Sequence, residues 1–441
     1  MVGLVIIPLF GILGLATDLG YMHFVAMSAQ TAAEAAAQAA IIDFQANASG
    51  SSYTCGGNVV CASTPTACPP GITAPADSIQ HGCTYAQAHG FDSLDAGGNP
   101  TGATVTYQAG SSSAPTAVPS VGSVPYWVTF RVTQSVPQLF SAVLGNTTGQ
   151  VGARSTAVLV GAADCIYALD PVAQGAISVG GAASLASNCG VRVNSSDSCA
   201  ISTNGGGNLS APRYDVVGGV CTQYPLSPTA NTGLTPVSDP LAALPAPASP
   251  PYTCDYKNFS APNNGSTIAL SPGVYCGGIN VKNNTYSFSA GTYILVGGGL
   301  STQDSNSHIV GAGVTFYNTF GATDQATYSY SPIQINANST VNLTAPTNSN
   351  NSYAGILFFD DRSAPASKNN SDSYGGGAAA VYQGTIYAKT NAITLYGNSS
   401  ATGYTLVVAD TISLVGTSAF NNDYSSLPDG TSPLHLTAVV E

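Results

Sequence analysis

The chain has 441 residues, of which only 7% are charged; 9 basic side chains face 21 acidic ones, and the net charge is −12. Nine basic residues spread over this length argue against a phosphate-neutralising surface and hence against nucleic-acid binding. The scarcity of Lys and Glu argues against a helix-rich cytosolic enzyme, while 44% hydrophobic residues argue against a disordered chain. The length allows two or three domains, and 49 Gly with 27 Pro indicate turns and short strands.

The chain opens with an apolar run that continues directly into an alanine-rich segment. Residues 1–17 contain no charge, and the run extends to Met27 with only Asp18 and His23 interrupting it. Residues 28–44 read SAQTAAEAAAQAAIIDF, a strongly helix-forming composition. We predict one continuous helix of about 40 residues, membrane-compatible in its first half and suited to close packing against neighbours in its second. A cleaved signal peptide is the alternative, but a basic start and a turn after the apolar run are both missing.

Asp18 is the one acidic residue within the apolar run. A carboxylate at this position is costly in lipid and needs a partner, for which a basic group on a neighbouring subunit is one candidate. The other interpretation is that Asp18 marks the membrane boundary. The sequence leaves both open.

The same segment carries a motif. Asp18-Leu19-Gly20-Tyr21, followed by Ala29-Gln30 and Ala33-Glu34-Ala35-Ala36, resembles the start of TadE/TadG-class proteins that assemble Tad (Flp-type) pili. Ala29 stands where this family usually has Leu, and Glu34 where it usually has Asp. The resemblance implies a pilin-like helix that packs with like helices. We assign this assembly role to Gly11, Gly14, Asp18, Gly20, Tyr21, Gln30 and Glu34.

The cysteine pattern indicates disulfides in an oxidising compartment. The count is even and no CxxC pair occurs, which favours disulfides. Zinc is the alternative, but the five His residues are scattered and we assign no metal site. The pairing is open among Cys55, Cys61, Cys68, Cys83, Cys165, Cys189, Cys199, Cys221, Cys254 and Cys276.

Residues 46–163 predict a small α/β unit after the helix of residues 1–45. Residues 126–132 alternate as a strand, residues 136–145 read as a short helix ending at Gly145, and residues 151–160 form the returning strand. This order is similar to the α/β unit that follows the anchor helix in TadG-like proteins. The four cysteines among residues 46–90 indicate a disulfide-linked insertion.

Residues 164–441 predict a different architecture. Short strands recur at turn-separated intervals near 20 residues, which favours a parallel β-solenoid (β-helix-like) over the alternative, a β-sandwich. A Pro-rich linker at residues 222–252 carries no periodicity and is predicted to be extended. The fold class is therefore mainly β with a long N-terminal α-helix.

Candidate chemistry is sparse, and we assign no catalytic residue. Asp360 and Asp361 follow a hydrophobic strand, but adjacent strand residues point to opposite faces, so they form a weak acid/base pair. A solvated corner with pairing to Arg362 is the preferred interpretation. We predict no enzyme activity and no cofactor, with Ca²⁺ bound by Asp and Asn at corners of the β domain as the one candidate.

Three functions remain, and all place the chain in the cell envelope or on the extracellular surface. The preferred one is a structural, pilin-like subunit or tip component of a Tad-type pilus. Its helix is membrane-anchored before assembly, packs with copies of itself or with other pilin subunits, and displays the β domain outward for adhesion, with surface glycans as candidate ligands. The alternatives are an envelope-bound pilus-assembly factor and a membrane-anchored β-helix enzyme that degrades polysaccharide.

Overall fold

A computed structural model describes most of the chain. The described residues are 2–47, 55–56, 59–111, 124, 126–161, 164–242, 244–323, 326–348, 351–365, 371–377, 380–396, 405–427 and 432–440. Side chains in residues 1–13 lie outside this description, as do those of a few further positions.

The chain divides into two compact units, so the boundaries differ from the three predicted segments. The first, the helix-led unit, comprises residues 1–48, 53–161 and 435–441, and the second, the parallel-sheet unit, comprises residues 49–52 and 162–434. The predicted anchor helix is therefore part of the same unit as the α/β segment. The helix-led unit contains α1 Val2–Asn47, β1 Ala62–Ala67, α2 Ser78–Ala88, β2 Ala103–Gly110, β3 Tyr126–Pro137, a 3-10 helix Ser141–Leu144, β4 Thr148–Gly161 and β32 His435–Val439.

Helix α1 confirms the predicted continuous helix. Its 46 residues correspond to a length of about 69 Å at 1.5 Å per residue. The alanine-rich half does pack closely, and the neighbours in this unit are α2 and the sheet of the same chain. Six of its alanines are almost completely buried: Ala29, Ala32, Ala33, Ala36, Ala37 and Ala40.

Five antiparallel strands form the sheet of this unit, in the order β1-β2-β3-β4-β32. Alternation in β3 places Val128, Phe130 and Val132 in the core, and Phe44 of α1 stacks on Tyr126 at a centroid distance of 3.8 Å. The short helix after β3 is smaller than predicted. It is the 3-10 turn Ser141–Leu144, because β3 continues through Pro137, and it ends at Gly145 in the left-handed conformation, as the sequence indicates.

The insertion before β2 holds two disulfides, Cys55–Cys61 and Cys68–Cys83. The second joins the end of β1 to α2. Asp77 caps the start of helix α2: its carboxylate accepts a hydrogen bond from the Gln80 N–H at 2.8 Å and so satisfies one free N–H of the first turn.

The parallel-sheet unit consists of short strands. They are β5 Asp164–Ala168, β6 Ile177–Val179, β7 Ser184–Ser187, β8 Gly190–Val193, β9 Ile201–Thr203, β10 Asn208–Ser210, β11 Tyr214–Val216, β12 Val220–Cys221, β13 Tyr256–Phe259, β14 Thr267–Leu270, β15 Gly273–Val281, β16 Thr285–Phe288, β17 Gly291–Val296, β18 Leu300–Thr302, β19 His308–Ala312, β20 Val314–Thr319, β21 Gly321–Ala322, β22 Thr327–Tyr328, β23 Gln334–Ile335, β24 Thr340–Thr344, β25 Ile356–Asp360, β26 Asp372–Tyr374, β27 Val381–Ala388, β28 Ile393–Leu395, β29 Thr405–Ala409, β30 Ile412–Leu414 and β31 Thr417–Phe420.

Apart from the small β21–β22 pair, the named strand pairs of this unit are parallel, which is compatible with the predicted solenoid and opposite to the pairing of a β-sandwich. Gly384 pairs with Thr405 and Ile393 with Ile412, so these partners lie about 20 residues apart along the chain. Other partners are farther apart, as Phe316 and Phe358 are. Aromatic rings stack across successive strands, and at least eight of the 23 tyrosines are fully buried. Most of these phenols are therefore structural.

Three disulfides link neighbouring strands of this unit. The pairs are Cys165–Cys189, Cys199–Cys221 and Cys254–Cys276, with sequence separations of 24, 22 and 22 residues. The separation matches one interval between parallel partners. All ten cysteines are thus in disulfides, as predicted.

Strand β29 pairs with β5, so the strands formed by residues 405–420 lie beside those that open the unit.

The Pro-rich segment is ordered against the strands. The Pro-rich segment contacts the parallel-sheet unit at separate positions. Val237 exchanges two hydrogen bonds with Asn194, and Tyr252 bonds to Thr319. It is therefore a strap along the strands and not a free linker.

Candidate functional site

Asp18 finds its partner within its own unit. Its carboxylate accepts hydrogen bonds from the backbone N–H groups of Leu139 at 3.0 Å, Phe140 at 3.1 Å and Ser141 at 2.7 Å. These three donors open the 3-10 turn that follows β3, where N–H groups have no partner in the turn itself. The partner that this carboxylate requires is therefore supplied by the chain itself: Asp18 is buried, and backbone donors hold its charge. We call this contact the Asp18 clamp. That Asp18 marks a membrane boundary stays a prediction.

Phe140 covers α1 beside the clamp. A Cβ atom placed on Gly14 would lie 2.5 Å from the ring of Phe140. Gly14 is thus required for the approach of the loop within the chain. Gly14 therefore has a contact inside the helix-led unit, and its predicted role in packing against a neighbouring subunit stays a prediction.

The Asp18 clamp predicts a pH dependence. The hydrogen bond from the Ser141 N–H, with those from Leu139 and Phe140, lowers the pKa of Asp18 below its ordinary value. A lowered folded-state pKa contributes stability above the unfolded pKa near 3.9, and this stability is lost as pH falls through the folded-state pKa. We expect Asp18→Asn to lower the unfolding temperature at pH 7, with the difference from wild type shrinking below about pH 4. Circular dichroism melts of the full chain in detergent measure this; a difference that stays constant with pH contradicts the clamp.

The opposite side of α1 is apolar and exposed. Phe24 is 66% exposed, and Leu15, Leu19 and Met27 are exposed by more than half. Leu139, from the loop held by Asp18, is 73% exposed. We call Leu15, Leu19, Phe24 and Met27 the apolar face. Exposed large apolar side chains grouped on one helix are typical of an association surface.

The remaining assembly residues divide between this face and the rest of the helix. Gly20 has open space around it and Tyr21 is half exposed, so both are accessible. Gln30 instead donates a side-chain hydrogen bond to Glu34 at 2.7 Å, one helical turn along, which is a local helix contact. Gly11 lies in α1, but its surroundings fall outside the described residues.

A shallow cavity of about 240 Å³ adjoins the apolar face. The ring of Phe24 and the phenol of Tyr21 line one side, and Phe91 and residues 134–137 line the other. This groove was not predicted, because its walls come from segments more than 60 residues apart in the sequence. A large side chain of another helix would have a recess to occupy here.

In the parallel-sheet unit, Asp361 and Arg362 do not pair with each other. Asp361 accepts hydrogen bonds from Thr319 at 2.7 Å and from Ser363. The guanidinium of Arg362 lies 5.1 Å from the ring centre of Tyr387 and 3.9 Å from Asp239 in the Pro-rich segment. The predicted pairing of Asp361 with Arg362 at a solvated corner is therefore wrong. Arg362 instead contacts the Pro-rich segment that forms the strap.

Asp360 is also not at a solvated corner. It is buried, and its carboxylate accepts hydrogen bonds from Tyr330 at 2.6 Å and from Asn391 at 3.0 Å. Asp372, to which the sequence assigned no role, lies in the same buried cluster. Asp360 and Asp361 do face different environments, as strand alternation requires. Within the described ranges, no three His, Cys, Asp or Glu side chains come together as a metal-binding group.

The predicted membrane span is not confirmed. Among the described residues, no helix has both the length and the apolar character that crossing a membrane requires. Residues 1–13, which begin the apolar run that predicted a span, have side chains that lie outside the description.

The fold and the apolar face together define a class: a mainly β, disulfide-bonded protein led by a long helix with an exposed apolar face. Residues 1–48 match the family described as putative Flp pilus-assembly TadE/G-like. The leading segment is therefore similar to this pilus-assembly family, and the match over 48 of the 441 residues points to a Tad pilus-associated component. Comparison with curated proteins and with solved structures finds no significant match.

Proposed function

We propose that the chain is a structural, pilin-like subunit or minor tip component of a Tad-type pilus. The observation that carries this proposal is the apolar face of α1, uncovered within the segment that matches the pilus-assembly family. The occupant is the N-terminal helix of another copy or of another pilin subunit. Such a helix is apolar, as this one is, and would remove Leu19, Phe24 and their neighbours from water.

The geometry around the face supports helix packing. Ala16 and Gly20 are exposed between the large side chains, and small residues let two helices approach closely. The Asp18 clamp turns the one carboxylate of this region away from the face and satisfies it with three donors. A second helix would therefore meet no unpaired charge from Asp18. Before assembly, the uncharged residues 2–17 would embed in the membrane.

We infer that the parallel-sheet unit is a β-solenoid displayed outward, with adhesion as its role. Parallel strand pairing and disulfides between neighbouring strands support this inference. Disulfides persist in an extracellular setting, where low charge and a strapped surface suit resistance to proteases.

The second candidate is an envelope-bound assembly factor that uses the same apolar face but never enters a filament. We propose no enzymatic function. One pair of carboxylates that comes together in the described chain, Asp360 and Asp372, is sealed from solvent and would not reach a polysaccharide.

Localisation separates the two candidates. We expect mass spectrometry to find the chain in filaments sheared from the cell surface, and cryo-electron microscopy of the same fraction to place α1 inward and the β units outward. Detection in the membrane fraction alone, with filaments present but lacking the chain, would overturn the pilin proposal and favour the assembly factor.

A further inference from the structure

A polar cluster lies inside the parallel-sheet unit, away from the apolar face. Asn318 of β20 stands beside Asp360 of β25 in the strand register. Asp372 opens β26, and Asn391 follows β27. All four side chains are at most 1% exposed.

The donors of this cluster are all in use. Tyr330 donates its hydroxyl to Asp360 at 2.6 Å and accepts the amides of Asn318 and Asn391 at 3.1 and 2.7 Å. The second N–H of the Asn318 amide bonds to the carbonyl oxygen of Ser331 at 3.1 Å, and that of the Asn391 amide bonds to Asp360 at 3.0 Å. No donor group of these side chains remains for a further oxygen.

Four buried oxygens are left without a partner. They are Oδ1 of Asp360, Oδ2 of Asp372 and Oδ1 of both Asn318 and Asn391. The other oxygen of Asp372 accepts the backbone N–H of Ile333 at 2.7 Å, and the carboxyl groups of Asp372 and Asp360 lie within hydrogen-bonding reach of each other. A buried oxygen without a partner costs free energy, and a buried carboxylate without a counter-charge costs more.

The donors that surround the two carboxylates are a phenol, an amide and a backbone N–H, and none of them is cationic. Burial, with the nearby charge of Asp360, raises the pKa of Asp372 well above its ordinary value. One shared proton between the carboxyl groups would satisfy two of the four oxygens and leave a buried negative charge. A divalent cation between the two carboxylates would neutralise both of them and give their unpartnered oxygens a ligand bond.

We propose that Asp360, Asp372, Asn318 and Asn391 bind a divalent hard cation of the Ca²⁺ type inside the parallel-sheet unit. Carboxylate and amide oxygens are the ligands that Ca²⁺ takes, and main-chain carbonyls or water complete its shell of six to eight oxygens. The ion joins side chains from β20, β25 and β26 and from the turn after β27. It is a structural ion that holds successive strands together, and this inference is independent of the pilus role.

The first test measures the wild-type chain. Full-length protein in detergent, loaded with Ca²⁺ and then dialysed, is expected to retain about one Ca²⁺ per chain by mass spectrometry of the metal. After removal by EDTA, Ca²⁺ at a hundred times its Kd is expected to raise the unfolding temperature by about 5 °C. Absence of bound metal together with no change in unfolding temperature would overturn the proposal.

The second test uses paired variants. Asp372→Asn removes one ligand charge at constant shape, while Asp361→Asn changes the adjacent carboxylate, which bonds to Thr319 and Ser363 instead. We expect Asp372→Asn to lose both the bound Ca²⁺ and the Ca²⁺-dependent shift, and Asp361→Asn to keep both. If Asp372→Asn melts at or above the wild-type temperature and Ca²⁺ affects neither protein, the carboxyl groups share a proton and the cation site is refuted. The wild-type measurements decide the question even where Asp372→Asn does not fold.

Discussion

Phe24→Asp is expected to remove the chain from sheared filaments while leaving its fold unchanged. Phe24 is 66% exposed in the subunit, so the substitution breaks no large contact within the chain. In an assembly through the apolar face the ring would be buried, which is worth about 2–3 kcal/mol per contact and is replaced by the cost of a buried charge. We expect at least a tenfold fall in incorporation, measured by quantitative mass spectrometry of filaments against whole cells.

Tyr224→Asp is the matched control. Tyr224 is an aromatic residue of the parallel-sheet unit with 64% exposure, nearly equal to that of Phe24. The same charge at this position should leave incorporation unchanged. Equal incorporation of Phe24→Asp and wild type would refute the apolar face as the assembly surface, and unchanged circular dichroism melts would exclude misfolding as the cause of a loss.

Two helical glycines are expected to respond to alanine with opposite signs. Gly82 lies where α2 crosses α1, and a Cβ there would be 2.6 Å from the backbone oxygen of Ala36 and 2.8 Å from Cβ of Ala40. The helices must separate to admit it, and such overpacking costs about 1–3 kcal/mol. Gly20 has nothing within 4 Å, so alanine there should stabilise α1 by up to about 1 kcal/mol.

Thermal unfolding of the full chain in detergent measures this pair of variants. Gly82→Ala is expected to lower the unfolding temperature by about 5 °C and Gly20→Ala to raise it slightly. Because both changes are Gly to Ala within a helix, helix propensity contributes equally and the contact with α1 accounts for the difference. Stabilisation by both variants would contradict the close approach of α1 and α2.

Much of the local structure could be predicted. The uninterrupted apolar and alanine-rich composition predicts α1, because helix propensity acts within a few residues. Gly145 marks the end of the 3-10 turn, because the left-handed backbone conformation that ends the turn favours glycine. The even cysteine count predicts that all ten form disulfides, although the large number of possible connectivities kept the pairing open.

The prediction that α1 is one continuous helix was confirmed, but it did not identify the elements of the same chain that pack against it. Small side chains indicated close packing, but composition does not distinguish a neighbouring subunit from α2 of the same chain. Likewise, a carboxylate at residue 18 required a partner, and the partner lies 121 to 123 residues along the chain. Backbone N–H groups have no signature in the sequence, so this contact could not be inferred from residue types.

The sequence alone therefore determined the elements that depend on neighbouring residues: the long helix, the short strands and their interval, and the oxidised cysteines. Tertiary structure alone decided which distant residues meet. It brought Asp372 beside Asp360, although the neighbour of Asp360 in the sequence is Asp361. It also placed residues 222–252 along the strands as a strap. The physical reason is that propensity and periodicity are local quantities, whereas the meeting of distant side chains depends on strand register and chain order across the whole unit.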